Sequence, residues 1–143
     1  MIDADATLPL QRAIVAALKA DTTLTGYIAG RVYDQVAENA ILPYISIGPI
    51  DVLTATAHGF DLDMYEGSTT SLQIDAWSGG PGSVEAKKIG RAIRSALHYK
   101  DLELENNQHL ILLHVEQIRY LVDPDGLTQH AAVTVQALTE PKE

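Results

Sequence analysis

The sequence has no cysteine, which removes disulfide frameworks, thiolate zinc sites and thiol nucleophiles together and leaves the redox compartment open. Bases are scarce. Ten Lys and Arg stand against nineteen Asp and Glu, a net charge of −9 with neutral histidines. Nucleic-acid binding draws its affinity from cations that neutralise phosphates, so DNA repels a chain this acidic. Aromatics are also few: six Tyr, one Trp and one Phe supply no base-stacking platform. Long hydrophobic runs are missing too. The longest strongly apolar run, 110–113, is far short of the ~18 residues that a membrane span needs, and Asp3 and Asp5 stand where a signal peptide would be basic. What remains, at 143 residues and 46% apolar content, is the composition of an ordinary folded domain, and a single domain over 1–143 is expected.

Hydrophobic spacing divides the chain into helices and strands. Leu10, Ile14, Ala17 and Leu18 form one stripe, predicting a helix over 8–20 with Thr7 placed to cap it and Pro9 tolerated in the first turn. A short further turn of helix fits 21–27, with Gly26 and Gly30 as stops, and Val32 and Tyr33 begin an extended piece. A strand over 43–49 puts Ile45 and Ile47 on one face and Tyr44 and Ser46 on the other; a second over 69–77 alternates Leu72, Ile74 and Ala76 with Gln73, Asp75 and Trp77. From Ser83 as cap to about His98, Ala86, Ile89, Gly90, Ile93, Ala96 and Leu97 make a second helical stripe, with Glu85, Lys87, Lys88, Arg91 and Arg94 outward. After a short extended piece around Leu102 and Leu104, strict alternation over 109–122 assigns Leu110, Leu112, His114, Glu116, Ile118, Tyr120 and Val122 to one face. Asp123-Pro124-Asp125-Gly126 is a turn: Pro fixes φ, Asp bonds the local backbone and Gly takes positive φ. A last strand over 129–138 and a flexible tail over 139–143 complete the chain.

These elements predict an α+β two-layer sandwich in the order α-β-β-α-β-β. Two amphipathic helices cover one face of an antiparallel or mixed sheet, and the other face is left to solvent or a partner. Between the first two strands lies a long flexible arm, 51–68, unusual for a compact domain and typical of functional loops.

Motifs for chemistry are absent or incomplete. Ser78-Gly79-Gly80-Pro81-Gly82-Ser83 lies where phosphate loops lie, but Val84-Glu85 occupies the place of the Lys and Ser/Thr that a Walker loop needs, so it reads as a strand-to-helix turn. The 123–126 turn lacks the later bidentate Glu of a calcium loop. Histidines stand at 58, 98, 109, 114 and 130 without metal-ligand spacing; only His114 and His130 are expected to approach, across the last hairpin. Ser46 and Ser71 lack a nucleophile elbow, and Asp61 and Asp63 sit in a loop unsuited to holding catalytic geometry. No catalytic, cofactor-binding or metal residue is assigned, and no enzyme is expected.

Four blocks nevertheless form a pattern: Tyr33-Asp34 with Leu42-Pro43-Tyr44-Ile45-Ser46-Ile47-Gly48; Gln73-Ile74-Asp75-Ala76-Trp77-Ser78; Glu85-Ala86-Lys87-Lys88-Ile89 through Ala96-Leu97-His98; and Asp123-Pro124-Asp125-Gly126-Leu127-Thr128-Gln129-His130. In this order the chain resembles the tail-completion, or tail-terminator, proteins of long-tailed bacteriophages, with relatives in prophages and gene transfer agents, over roughly 8–138. The resemblance implies a small α+β structural protein of the virion, made in the bacterial host cytoplasm and lodged at the neck or top of the tail. It implies a homo-oligomeric ring, expected to be a hexamer, that caps the head-proximal end of the tube and stops its polymerisation. The implied partners are the major tail tube protein and a head-completion or neck protein, with DNA only in transit through the lumen, no membrane and no cofactor. Six copies would carry six times −9, about −54, so a lumen holding part of that charge would let DNA slide past. Phe60, Leu62, Met64 and Tyr65 of the arm are the candidate subunit or tube interface. The alternative is another neck or head-completion adaptor, or a tail-tube-like protein of similar fold.

Overall fold

A computed structural model describes residues 5–54 and 67–142. Helix α1 (Thr7–Ala20) buries Pro9, Leu10, Ile14 and Leu18 along the predicted stripe. Thr7 does not cap it. The cap position is Ala6, and the Asp5 carboxylate instead accepts from the Thr7 amide (2.9 Å) and hydroxyl, which holds Asp5 below the usual carboxylate range. Helix α2 (Thr22–Ile28) follows after one residue: Asp21 accepts from the Leu24 amide at 2.8 Å, and Ala29 ends the helix in the left-handed region. The full order is α1, α2, β1 (Val32–Tyr33), β2 (Tyr44–Thr54), β3 (Ser68–Ser78), α3 (Val84–Leu97), β4 (Gln108–Val122) and β5 (Gln129–Pro141).

The architecture is therefore α+β with three helices and a five-stranded mixed sheet, and the α-β-β-α-β-β order is corrected to α-α-β-β-β-α-β-β. Seven residues suffice for α2 because its capping Asp21 and the burial of Leu24 and Ile28 replace the long stripe by which a helix is recognised. The strands lie in the order β1-β2-β3-β5-β4, with β1 parallel to β2 and all other pairs antiparallel. The piece around Leu102 and Leu104 belongs to no strand, although Leu104 is buried. The expected arm is shorter than 51–68, since β2 runs to Thr54 and pairs there with Ser68. The interface candidates Phe60, Leu62, Met64 and Tyr65 lie outside the described residues. At the other terminus β5 continues through Pro141, with Thr139 buried.

Core residues come from α1 (Leu10, Ile14, Leu18), α2 (Leu24, Ile28), α3 (Ile89, Ile93, Leu97) and alternate strand positions such as Leu72, Ile74, Ala76, Val133 and Val135. The stripe read for the second helix is buried in full, with Lys87, Lys88, Arg91 and Arg94 exposed as expected. Ser83 occupies its N-cap position, but its side chain makes no capping bond; the nearby Ser78 hydroxyl donates to Glu85 at 2.7 Å instead. Gly90 allows α3 to approach β4. A Cβ there would lie 2.6 Å from the Tyr120 hydroxyl oxygen.

Strand β4 departs from strict alternation. Register shifts fall between Leu110 and Leu112 and between Val115 and Gln117, each leaving one β4 residue unmatched. Each extra residue moves the side chains that follow to the opposite face. Leu110, Leu113 and Val115 are buried while Leu112 is exposed, which overturns the expected grouping of Leu110 with Leu112. The turn at 123–126 forms as expected: Gly126 has φ 72°, and Asp125 Oδ1 accepts from the Leu127 and Thr128 amides at 2.8 Å each. The Thr128 hydroxyl bond and these two amides lower the Asp125 pKa.

Candidate assembly surfaces

Three features of the described residues stand out from the core. The first lies on the strand positions that alternate with it. Ser46 of β2 is paired in register with Asp75 of β3, and His130 of β5 with Trp77. The Asp75 Oδ1 atom lies 2.6 Å from His130 Nε2 and accepts from the Gln73 side-chain Nε2 at 2.8 Å. Trp77 stacks on His130, with ring centroids 3.9 Å apart and planes 11° from parallel, and its indole N–H donates to the Ser46 hydroxyl at 3.1 Å. The Asp75 and His130 side chains are only 10% and 15% exposed. A chain of polar contacts across three strands thus fixes their relative register. Gly48 completes it: a Cβ there would stand 2.9 Å from Asp75 Oδ2 and 3.2 Å from the Gln73 carbonyl.

The expected approach of His114 and His130 does not occur. Register places Gln136 opposite His114 and Leu121 opposite His130, because equal steps from the turn match the residues nearest to it with one another. His130 finds Asp75 instead. Among the described residues no three His, Asp or Glu side chains converge as a metal site.

The second feature is the outer edge of the sheet at β4. His98 and Tyr99, just past α3, close part of it: the Tyr99 amide donates to the Leu113 carbonyl at 2.8 Å, and the Val115 amide donates to His98 Nδ1 at 2.9 Å. Farther along, Tyr120, Leu121 and Val122 are exposed, as is Leu127 in the following turn. Accepting at Nδ1 requires an unprotonated nitrogen there. Partial burial pushes the His98 pKa below its ordinary 6.5, and the nearby Arg94 and His114 charges push it the same way.

That shift has a pH consequence. The unfolded chain binds this proton first, so the contribution of His98 to stability is complete above about pH 6.5 and is lost as pH falls through the lower folded value. Urea midpoints of the native protein are expected to fall between pH 7 and 5. His98→Asn, which keeps an acceptor but cannot titrate, is expected to flatten that slope; an unchanged slope would remove His98 as its source.

The third feature is the outer face of α3. Lys87, Lys88, Arg91 and Arg94 are exposed along it, and Lys88 and Arg91 line a cleft of about 370 Å³ shared with Asp21, Thr23 and Tyr27 of the α2 region. Lys87 Nζ also stands 6.0 Å from the Tyr120 ring centroid.

Asp75, Trp77 and His130 fall within the blocks quoted above, but the sequence points His130 toward His114 and gives Asp75 and Trp77 no partner. The only local signal is the polar and aromatic alternation Gln73, Asp75, Trp77; His130 is 55 residues from its partner, and strand register brings the two together.

Comparison with known proteins gives these surfaces a context. No curated protein matches the sequence. A chain from the virion of a native gene transfer agent particle has the same fold, with a TM-score of 0.84 and 24% identity, over 96% of this chain and 99% of that one. The gp17 protein of bacteriophage SPP1 is similar at a TM-score of 0.59 and 25% identity, over 92% of this chain and 89% of that one. The family model of the tail completion protein gp17 matches residues 12–140. The chain therefore belongs to the gp17 tail completion family, whose members are structural components of virions and not enzymes.

Proposed function

We propose that the protein forms a ring, a hexamer, that caps the head-proximal end of the tail tube, stops its polymerisation and joins the tail to the neck. The observation that carries this reading is the family match over 12–140, and the fold shared with a gene transfer agent virion chain supports it. In this reading the chain acts as one domain, with its helices as a layer on one side of the sheet. The polar side, pinned by Asp75 and His130, and the part of the β4 edge beyond Val115 are left for contacts with the tube, the neck protein or the next copy. Head-to-tail contacts repeated by rotation close such a ring. The surplus of nineteen acids over ten bases keeps DNA in transit from adhering to the wall. Phe60, Leu62, Met64 and Tyr65 reach a neighbouring subunit or the tube.

Electron microscopy of particles assembled without the protein tests the role. Tails of uncontrolled length that fail to join heads are the expected result. Tails of normal length beside unfilled necks would overturn termination in favour of a head-side adaptor.

A further inference from the structure

The charge of this chain is divided very unevenly. Helix α3 carries four bases and one acid, +3, so the remaining residues carry −12 of the total −9. Lys87 and Arg91 are four residues apart, and Lys88 and Arg94 each lie three from Arg91, so like charges face one another along the helix and disfavour it. None of the four is ion-paired with a carboxylate among the described residues. Within the helix only Glu85, three residues from Lys88, offsets these charges, and Asp21 is the acid that shares the cleft with Lys88 and Arg91.

Residues 55–66, Ala-Thr-Ala-His-Gly-Phe-Asp-Leu-Asp-Met-Tyr-Glu, carry the opposite pattern: three acids, no Lys or Arg, and apolar residues set among the acids. We propose that the α3 strip and the cleft between α2 and α3 receive this segment from a second copy of the chain. Asp61, Asp63 and Glu66 supply countercharge to Lys88 and Arg91, while Phe60, Leu62, Met64 and Tyr65 supply apolar surface against the half-buried Tyr27. The inference rests on the ring reading and names the receiving surface within it.

Reach argues for a second copy. The ten steps of β3 from Ser68 to Ser78 span about 33 Å. Helix α3 starts level with Ser78, where the Ser78 hydroxyl meets Glu85, so Lys88 and Arg91 lie only about 5 and 9 Å back toward the arm. About 24–28 Å therefore separates them from the level at which 55–66 leaves the sheet. Twelve residues going out and back extend at most about 20 Å at the tip, and Met64, Tyr65 and Glu66, within four residues of Ser68, reach at most about 13 Å, so a copy's own segment cannot lay these residues along its own strip. A neighbour displaced along the ring brings the two together.

The absence of cysteine makes the test clean. A chain carrying Met64→Cys and Ser95→Cys, treated with a short bis-maleimide linker, is expected to give a ladder of covalent oligomers on a denaturing gel, with native mass spectrometry of the same sample reporting the ring. Adding Lys88→Glu and Arg91→Glu is expected to reduce the ladder at least tenfold, and further adding Asp61→Lys and Asp63→Lys to restore it. Rings without a ladder, or an internally linked monomer, would overturn the docking while leaving the ring reading intact. A solitary chain at every concentration would overturn both.

Discussion

Truncation of Ile74 to alanine is expected to destabilise the protein by about 4 kcal/mol, a large fraction of the roughly 5–15 kcal/mol that holds a domain folded. Ile74 is fully buried in β3, flanked in register by Ile47 of β2 and Val133 of β5. Strands on both sides hold the backbone, so the site cannot collapse to fill the lost volume, and the cavity adds to the lost transfer energy. For a chain of this size the melting temperature should fall by about 10–15 °C. A loss below ~1 kcal/mol in urea unfolding would mean that the centre of the sheet is not packed as described.

The next residue, on the opposite side of the same strand, carries the second large effect. Asp75→Ala is expected to cost about 2–3 kcal/mol, because it leaves the His130 Nε2 atom and the Gln73 side-chain Nε2 without their shared partner in a nearly closed environment. Asp75→Asn retains an oxygen acceptor and should cost less, about 1 kcal/mol. The two variants together separate loss of hydrogen bonding from loss of charge. Equal costs for both would assign the effect to charge, and no cost for either would show that register is held by the flanking apolar positions alone. Measuring His130→Ala in the same background completes a double-mutant cycle, with a coupling of about 1 kcal/mol or more expected for this contact.

This adjacency explains which parts of the fold were legible in the sequence. Ile74 and the stripe from Ala86 to Leu97 were readable because each repeats at the period of its element, and burial follows the period. The same rule failed on β4, where two bulges each add a residue and reset which side chains face the core; nothing in Gln108–Val122 marks those insertions by composition. Helix α2 is legible as a short helical turn over 21–27, but seven residues give too little stripe for it to count in the element order. At the caps, Ser83 holds the expected position without making the side-chain bond, whereas at α1 Asp5 rather than Thr7 serves the helix start. The contact of Asp75 with His130 was invisible for a different reason. It depends on the order β3-β5-β4, in which β5 inserts between two strands that precede it in the chain, and no local pattern encodes that placement.

The closure of β4 by His98 and Tyr99 has a consequence for how copies can meet. A bare strand at a sheet margin is a template on which further strands add without limit, the route to fibres. Here the Leu113 carbonyl and the Val115 amide are already bonded within the molecule, so an incoming strand finds fewer partners on that stretch. Growth by indefinite strand stacking is discouraged along that stretch, which confines edge pairing to the part of β4 beyond Val115.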